Sequence, residues 1–235
     1  MREEDPMDAY SEIIQGARVW QGVLDTNVMA DDLVKAGHRL ADAAKVGNWP
    51  EVMKVLDSEW SWLVINQWRP GGPSWFTVLH QAAWHGAPTD VVEELLERGA
   101  LRSLRDAKGR TPFDVAVARN RTTNLRGLLQ PPRSSLTDKQ VRALDARLAK
   151  LIDGRIKGRV YEGDLRKVLR YPPVEILQEL PGQRVWFPMP AKYGFHIELQ
   201  RGGLEVKSWC GFVERSGQAH LVTPEGSVLV DQGFV

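Results

Sequence analysis

TVLHQAAWHGAPTDVVEELLERGA, residues 77–100, decides the fold. Leu79, Ala82 and Ala83 recur at helical spacing and form one apolar stripe. Val91, Val92, Leu95 and Leu96 form a second. Gly86 stands where the first stripe ends and Gly99 where the second ends, positions that favour a residue tolerant of left-handed backbone. Thr77 precedes the first stripe as an N-cap. The segment therefore predicts two short helices in a hairpin. A unit this small cannot bury its own apolar face and must stack on others.

Two further segments align with it. Thr111, 34 residues after Thr77, opens TPFDVAVARNRTTNLRGLL. His38 opens HRLADAAKVGNWPEVMKVL, whose Gly47 lies 39 residues before Gly86, so the first connection carries an insertion. The repeat resembles the ankyrin family, whose hallmark is TPLH-x-AA-x-x-G followed by V-V-x-x-L-L-x-x-G-A. Asp106-Ala-Lys-Gly109-Arg-Thr111-Pro112 resembles the family's finger. Three departures stand out. Val78 replaces the usual proline, Asp114 replaces the usual histidine, and the QWRPGGPSW finger is long, with two Trp.

The resemblance implies a protein-binding scaffold that touches partners with its fingers and the exposed positions of each first helix. Carried over by alignment, those positions are Lys45 and Val46, Trp84 and His85, and Ala118 and Arg119, with Ala107, Lys108 and Arg110 on one finger. The long finger adds Trp68, Arg69, Trp75 and Phe76. Trp and Arg dominate binding energy at protein interfaces, so the expected face is aromatic and basic and suits an acidic protein. Alternatively the long finger folds back and buries its Trp residues as a cap. His80 matches the family's histidine and is expected to be structural, as is His38.

The ends read differently. Ile13, Ile14, Ala17, Val19, Trp20, Val23, Leu24 and Val28 suggest a helical leader capping the first unit. Pro131 and Pro132 stop the last repeat helix. Thr137 and Gln140 make a capping box before a helix that runs to about Asp153. Asp164–Leu169 and Val174–Leu180 suggest short helices. From Gln183 the period becomes two, with turns at 201–203, 214–217 and 223–226. The expected architecture is mainly α: a helical N-cap over 1–35, about three ankyrin repeats over 36–131, and an α+β domain over 135–235 with an antiparallel sheet of three to five strands. The joining of two such halves suggests a bacterial ankyrin-repeat protein.

Composition sets the outer limits. The 235 residues carry 31 Lys or Arg against 30 Asp or Glu, a net charge of +1, and 43 % are hydrophobic. These values exclude a disordered, collagen-like or polycationic chain. One cysteine, Cys210, excludes an internal disulfide framework and fits a reducing cytoplasm. The acidic start MREEDPMDAY lacks a secretion signal's pattern, and no apolar run suggests a membrane span.

Catalytic signals are sparse. Cys210 with His196 or His220 and Glu198 or Asp231 is the single nucleophile-type set, and a lone thiol packed as a small hydrophobe explains Cys210 as well. His80, His85 and Asp114 lack a zinc spacing, and neither a metal nor a cofactor is expected. A groove walled by Trp60, Trp68, Trp75 and Trp84 would attract an apolar or cationic small molecule, with His85 or Asp114 as acid or base. Residues 139–170 hold ten Lys or Arg against four Asp or Glu, which suits nucleic acid or a solvated helix surface.

Overall fold

The computed structural model describes residues 16–57, 64–157, 164–189, 193–210 and 216–233. The chain divides into two compact units, Val23–Arg133 and a second made of the N-terminal segment to Gly22 with Ser134–Val235.

The helical unit contains α1 (Asp31–Lys45), α2 (Trp49–Leu56), α3 (Val78–His85), α4 (Thr89–Glu97), α5 (Pro112–Ala118) and α6 (Thr123–Leu129). Three of the starts have a clear local cause. The Asn48 side chain accepts from the Glu51 N–H at the head of α2. Thr77 and His80 close a capping box at α3, and Thr111 and Asp114 close another at α5, where Pro112 also presets the first turn. Gly86 ends α3 with φ 70°, a left-handed value that costs a Cβ-free residue little. The helices pair as α1 with α2, α3 with α4 and α5 with α6, while α1 packs on α3, α3 on α5 and α4 on α6. Leu40, Val52, Leu79, Ala82, Ala83, Val92, Leu95, Ala116 and Leu129 form one continuous buried core through these pairs. Ala82 and Ala83 carry no accessible surface, which lets α3 sit closely between α1 and α5.

The second unit packs α7 (Asp138–Ile156) and 3-10 turns at Leu165–Lys167, Val174–Glu179 and Pro181–Gln183 with a six-stranded mixed sheet. The strands are β1 (Arg18–Val19), β2 (Arg184–Met189), β3 (Tyr193–Gln200), β4 (Gly203–Cys210), β5 (Gln218–Val222) and β6 (Ser227–Gln232), in that spatial order. All neighbours are antiparallel except β1 and β2. Val185, Phe187, Phe195, Ile197, Leu204 and Val206 share one face by register and are buried, as are Leu144, Leu148 and Ile152 of α7.

β1 corrects two expectations. Arg18 and Val19 are extended and pair with Val185 and Trp186, so this stretch of the leader is a strand of the sheet and not part of a helix. Trp20 follows it. Its N–H donates to Trp186 O at 2.7 Å and its indole Nε1–H to Arg170 O at 2.7 Å. The sheet therefore has six strands, one of them parallel. Ile13 and Ile14 lie outside the described residues, as do residues 214 and 215 of the turn expected at 214–217 and Trp60 and Trp62.

Gly194 fixes the meeting of β2 and β3. A Cβ there would lie 1.9 Å from Trp186 Cη2, a ring wedged against Trp209 with centroids 5.4 Å apart. Gly194→Ala is expected to cost about 2 kcal/mol through forced repacking. Urea denaturation checks it, and an unchanged midpoint would show that Trp186 has room to move.

Candidate functional site

The surface where α3 and α5 expose their ends carries a stack of four side chains. Trp84, at 38 % exposure, is the most exposed Trp of α3 and its neighbours. The Arg119 guanidinium lies 4.3 Å from its ring centroid. Phe76 meets Trp84 edge-on at 6.3 Å, and Arg110 lies 5.8 Å from the Phe76 ring. Two cations thus bracket two aromatic rings, each pair in cation–π range. Phe76 also stacks on His80 at 5.2 Å, which joins the surface stack to the core.

The backbone beneath this stack is fixed. His80 is buried, and its Nδ1 accepts from the Thr77 N–H at 3.3 Å. That bond assigns the proton to Nε2, which donates to Arg110 O at 3.0 Å. His80 is therefore a structural link between the head of α3 and the next finger. Asp106 holds that finger. Its Oδ1 accepts from the Lys108 and Arg110 N–H groups at 2.8 and 2.9 Å, and its Oδ2 from the Arg110 guanidinium at 2.9 and 2.7 Å. Burial pushes this carboxyl up. The Arg110 N–H, the Arg110 guanidinium and the Lys108 N–H outweigh that and hold it below the usual aspartate value.

The remaining candidate side chains fall into separate places. Arg69 pairs with Asp42, and both line a cleft of about 340 Å³ with Lys45, Gln67, Phe76 and Gln81. None of the described Trp residues lines it. Trp68 is 7 % exposed, and Trp75 rests on it with centroids 6.2 Å apart and φ 54°. The long finger thus turns Trp68 inward, so Trp68, Trp75 and Trp84 do not wall one groove. Lys45 and Lys108 are exposed.

The acid–base candidates have structural partners. His85 Nε2 lies 2.9 Å from Lys45 O, and its ring meets Trp49 edge-on at 6.2 Å. The Asp114 carboxylate accepts from the Thr111 N–H and hydroxyl, both at 2.9 Å, as the capping residue of α5. Cys210 closes β4, and its side chain lies outside the described residues. His196 is opposite Lys207 and His220 opposite Val206, so the two histidines sit on opposite faces of the sheet.

The basic run 139–170 is partly consumed inside its own unit. Arg155 is buried and donates to Ser208 Oγ at 2.9 Å and Ser216 O at 2.8 Å. Arg166 pairs with Asp153 at 2.9 Å and lies 4.1 Å from the Tyr171 ring, while Arg170 lies over Trp20 at 5.7 Å. No helix among the described residues is long and apolar enough to cross a membrane.

Two functional contacts escaped the sequence. Asp106 as the clamp on Arg110 lies within one finger, but residues 106–110 form a turn and not a helix, so the i,i+4 spacing did not predict it. Nor did any spacing predict Asp42 with Arg69, because the inserted finger brings them together.

Residues 74–107 match the ankyrin repeat family. The match covers Phe76, His80, Trp84 and Asp106, and ends before Lys108 and Arg110. A search of curated proteins found no match.

Proposed function

We propose that residues 36–131 form about three stacked ankyrin repeats that bind an acidic protein in a reducing, cytoplasmic setting. The exposed Trp84, in contact with both Phe76 and Arg119, carries the proposal. A rigid aromatic anchor beside a guanidinium offers large contact area at small entropic cost. Its charge preference follows from its surroundings. Among the described residues Lys45, Lys108 and Arg119 form no ion pair, whereas Arg69 and Arg110 are each paired with an aspartate. Arg119 against Trp84, with the exposed Lys45 and Lys108 elsewhere on the same unit, favours a partner that presents carboxylates.

The test is capture from native lysate with tagged wild type and the Trp84→Ala, Arg119→Ala double variant. Truncating a central anchor typically costs about 2 kcal/mol, so the double variant is expected to lose binding by at least about tenfold. The captured protein should be acidic, and its affinity should fall with added salt. Equal capture by both forms would remove Trp84 and Arg119 from the interface.

A further inference from the structure

We propose that Arg121 is the positioning residue of the Trp84 site and that it readies Arg119 to take a partner's carboxylate edge-on. The proposal rests on the reading of Trp84 as the partner-binding anchor. The turn between α5 and α6 holds Trp84 twice. Arg119 lies over its ring, with the guanidinium carbon 4.3 Å from the centroid. Arg121 holds its backbone. The Arg121 Nε–H donates to Ala83 O at 3.2 Å, and its Nη2 donates to Trp84 O.

These bonds fall where α3 needs them. A helix leaves its last four carbonyls without intrahelical partners. In α3, Ala82 O accepts from the Gly86 and Ala87 N–H groups, each at 3.0 Å. The next two carbonyls, Ala83 O and Trp84 O, are the ones Arg121 satisfies. Gly86 leaves the space. A Cβ there would lie 3.0 Å from Arg121 Nη1 and 3.2 Å from its Cδ. Asn120 turns the chain between the two arginines with φ 51°, a left-handed value that asparagine tolerates better than most residues. Trp84 is thus fixed at a helix end, where fraying is usual, and its ring has a set place against Arg119. A guanidinium stacked on an aromatic face keeps its in-plane N–H donors. Among the described residues Arg119 has no ion pair that uses them. Its fork is open to bidentate contact with a carboxylate, which a lysine at this position could not make.

Nuclear magnetic resonance of the Arg119 side chain in the full chain tests the positioning without a partner. The Trp84 ring should shift the Arg119 protons upfield in wild type, and Trp84→Ala supplies the unstacked reference. Arg121→Met keeps the aliphatic stem and removes the donors. It should move Arg119 at least halfway to that reference with unchanged circular dichroism. Gly86→Ala, which crowds Arg121 without altering it, should act in the same direction and decides the matter if Arg121→Met does not fold. A wild-type Arg119 shift in the deciding variant overturns the proposal. The acidic protein captured from lysate tests the fork. Arg119→Lys keeps the charge and should still weaken its affinity about tenfold, as should Arg121→Met. Undiminished affinity in Arg119→Lys overturns carboxylate recognition by the fork. A wild type that captures no acidic protein overturns the reading of Trp84 as an anchor, and the Arg119 resonance scores the positioning role separately.

Discussion

Acidification from pH 6.5 to pH 4 is expected to destabilise the sheet unit by about 3 kcal/mol through His196 alone. His196 is buried, and neither ring nitrogen has a hydrogen-bond partner among the described residues. In register it lies between Trp186 on β2 and Lys207 on β4, with Arg184, Glu198 and Glu205 further along the same face. Burial above all, then the charges of Lys207 and Arg184, push its pKa down to about 4 from the usual 6.5. The folded unit thus keeps the ring neutral where the unfolded chain protonates it. Between pH 6.5 and 4 the unfolded state binds more protons, so stability falls as pH falls, and the whole contribution is lost below about pH 4. His220, on the opposite face, is also held down by burial and by Arg155 and adds to the same trend. Urea unfolding of wild type and His196→Phe across this window provides the check. The wild-type curve should fall more steeply, with His220 leaving a smaller slope in the variant. Parallel curves would mean that the ring is hydrated in the folded protein.

His196 also shows where sequence reading stops. It alternates with Phe195 and Ile197 and keeps step with Glu198 and Gln200, which places it on the polar face. It is on that face, yet it is buried, because Trp186 and Trp209 share the face and pack against each other. Alternation reports which side a residue takes, not what else stands there. The helix hairpin at 77–100 was legible because its causes are local: a Thr cap, a glycine terminator and apolar stripes within ten residues. The strand Arg18–Val19 was not. Two residues carry no period, and their partners, Val185 and Trp186, lie at the far end of the chain. The apolar residues of the leader therefore mimicked a helix. The sequence offered both Trp68 and Trp84 to the surface, with burial as a cap the alternative for the Trp residues of the long finger. The fold of the inserted finger, with Trp75 in a left-handed conformation, separates the buried one from the exposed one.

Replacing Asp106 by alanine is expected to cost the helical unit about 3 kcal/mol. Its side chain is 1 % exposed and accepts from two backbone N–H groups and one guanidinium. Removing it takes the shared acceptor from the Lys108 and Arg110 N–H groups, in a finger of which only Asp106 is buried. The freed guanidinium matters less, because a third of the Arg110 side chain is open to water and can be hydrated. Lys108→Ala should stay within about 0.5 kcal/mol of wild type, since only its backbone is used. The pH dependence has a definite sign. The folded carboxyl titrates below its unfolded value of 3.8, so its contribution is present above that pH and is lost as pH falls through the folded value. Wild type and Asp106→Ala should therefore differ by a constant amount from neutral pH down to about 4 and converge only below it. His196 acts above that boundary, in the other unit, so urea curves at pH 5 and pH 3 separate the two groups. Asp106 further connects stability to the candidate site. Arg110 O accepts from His80, and its guanidinium lies over Phe76, which in turn supports Trp84. Asp106→Ala should thus weaken capture of the acidic partner even under conditions where the helical unit remains folded. An affinity equal to wild type at matched folded fraction would show that Trp84 and Arg119 hold their geometry without the finger behind them.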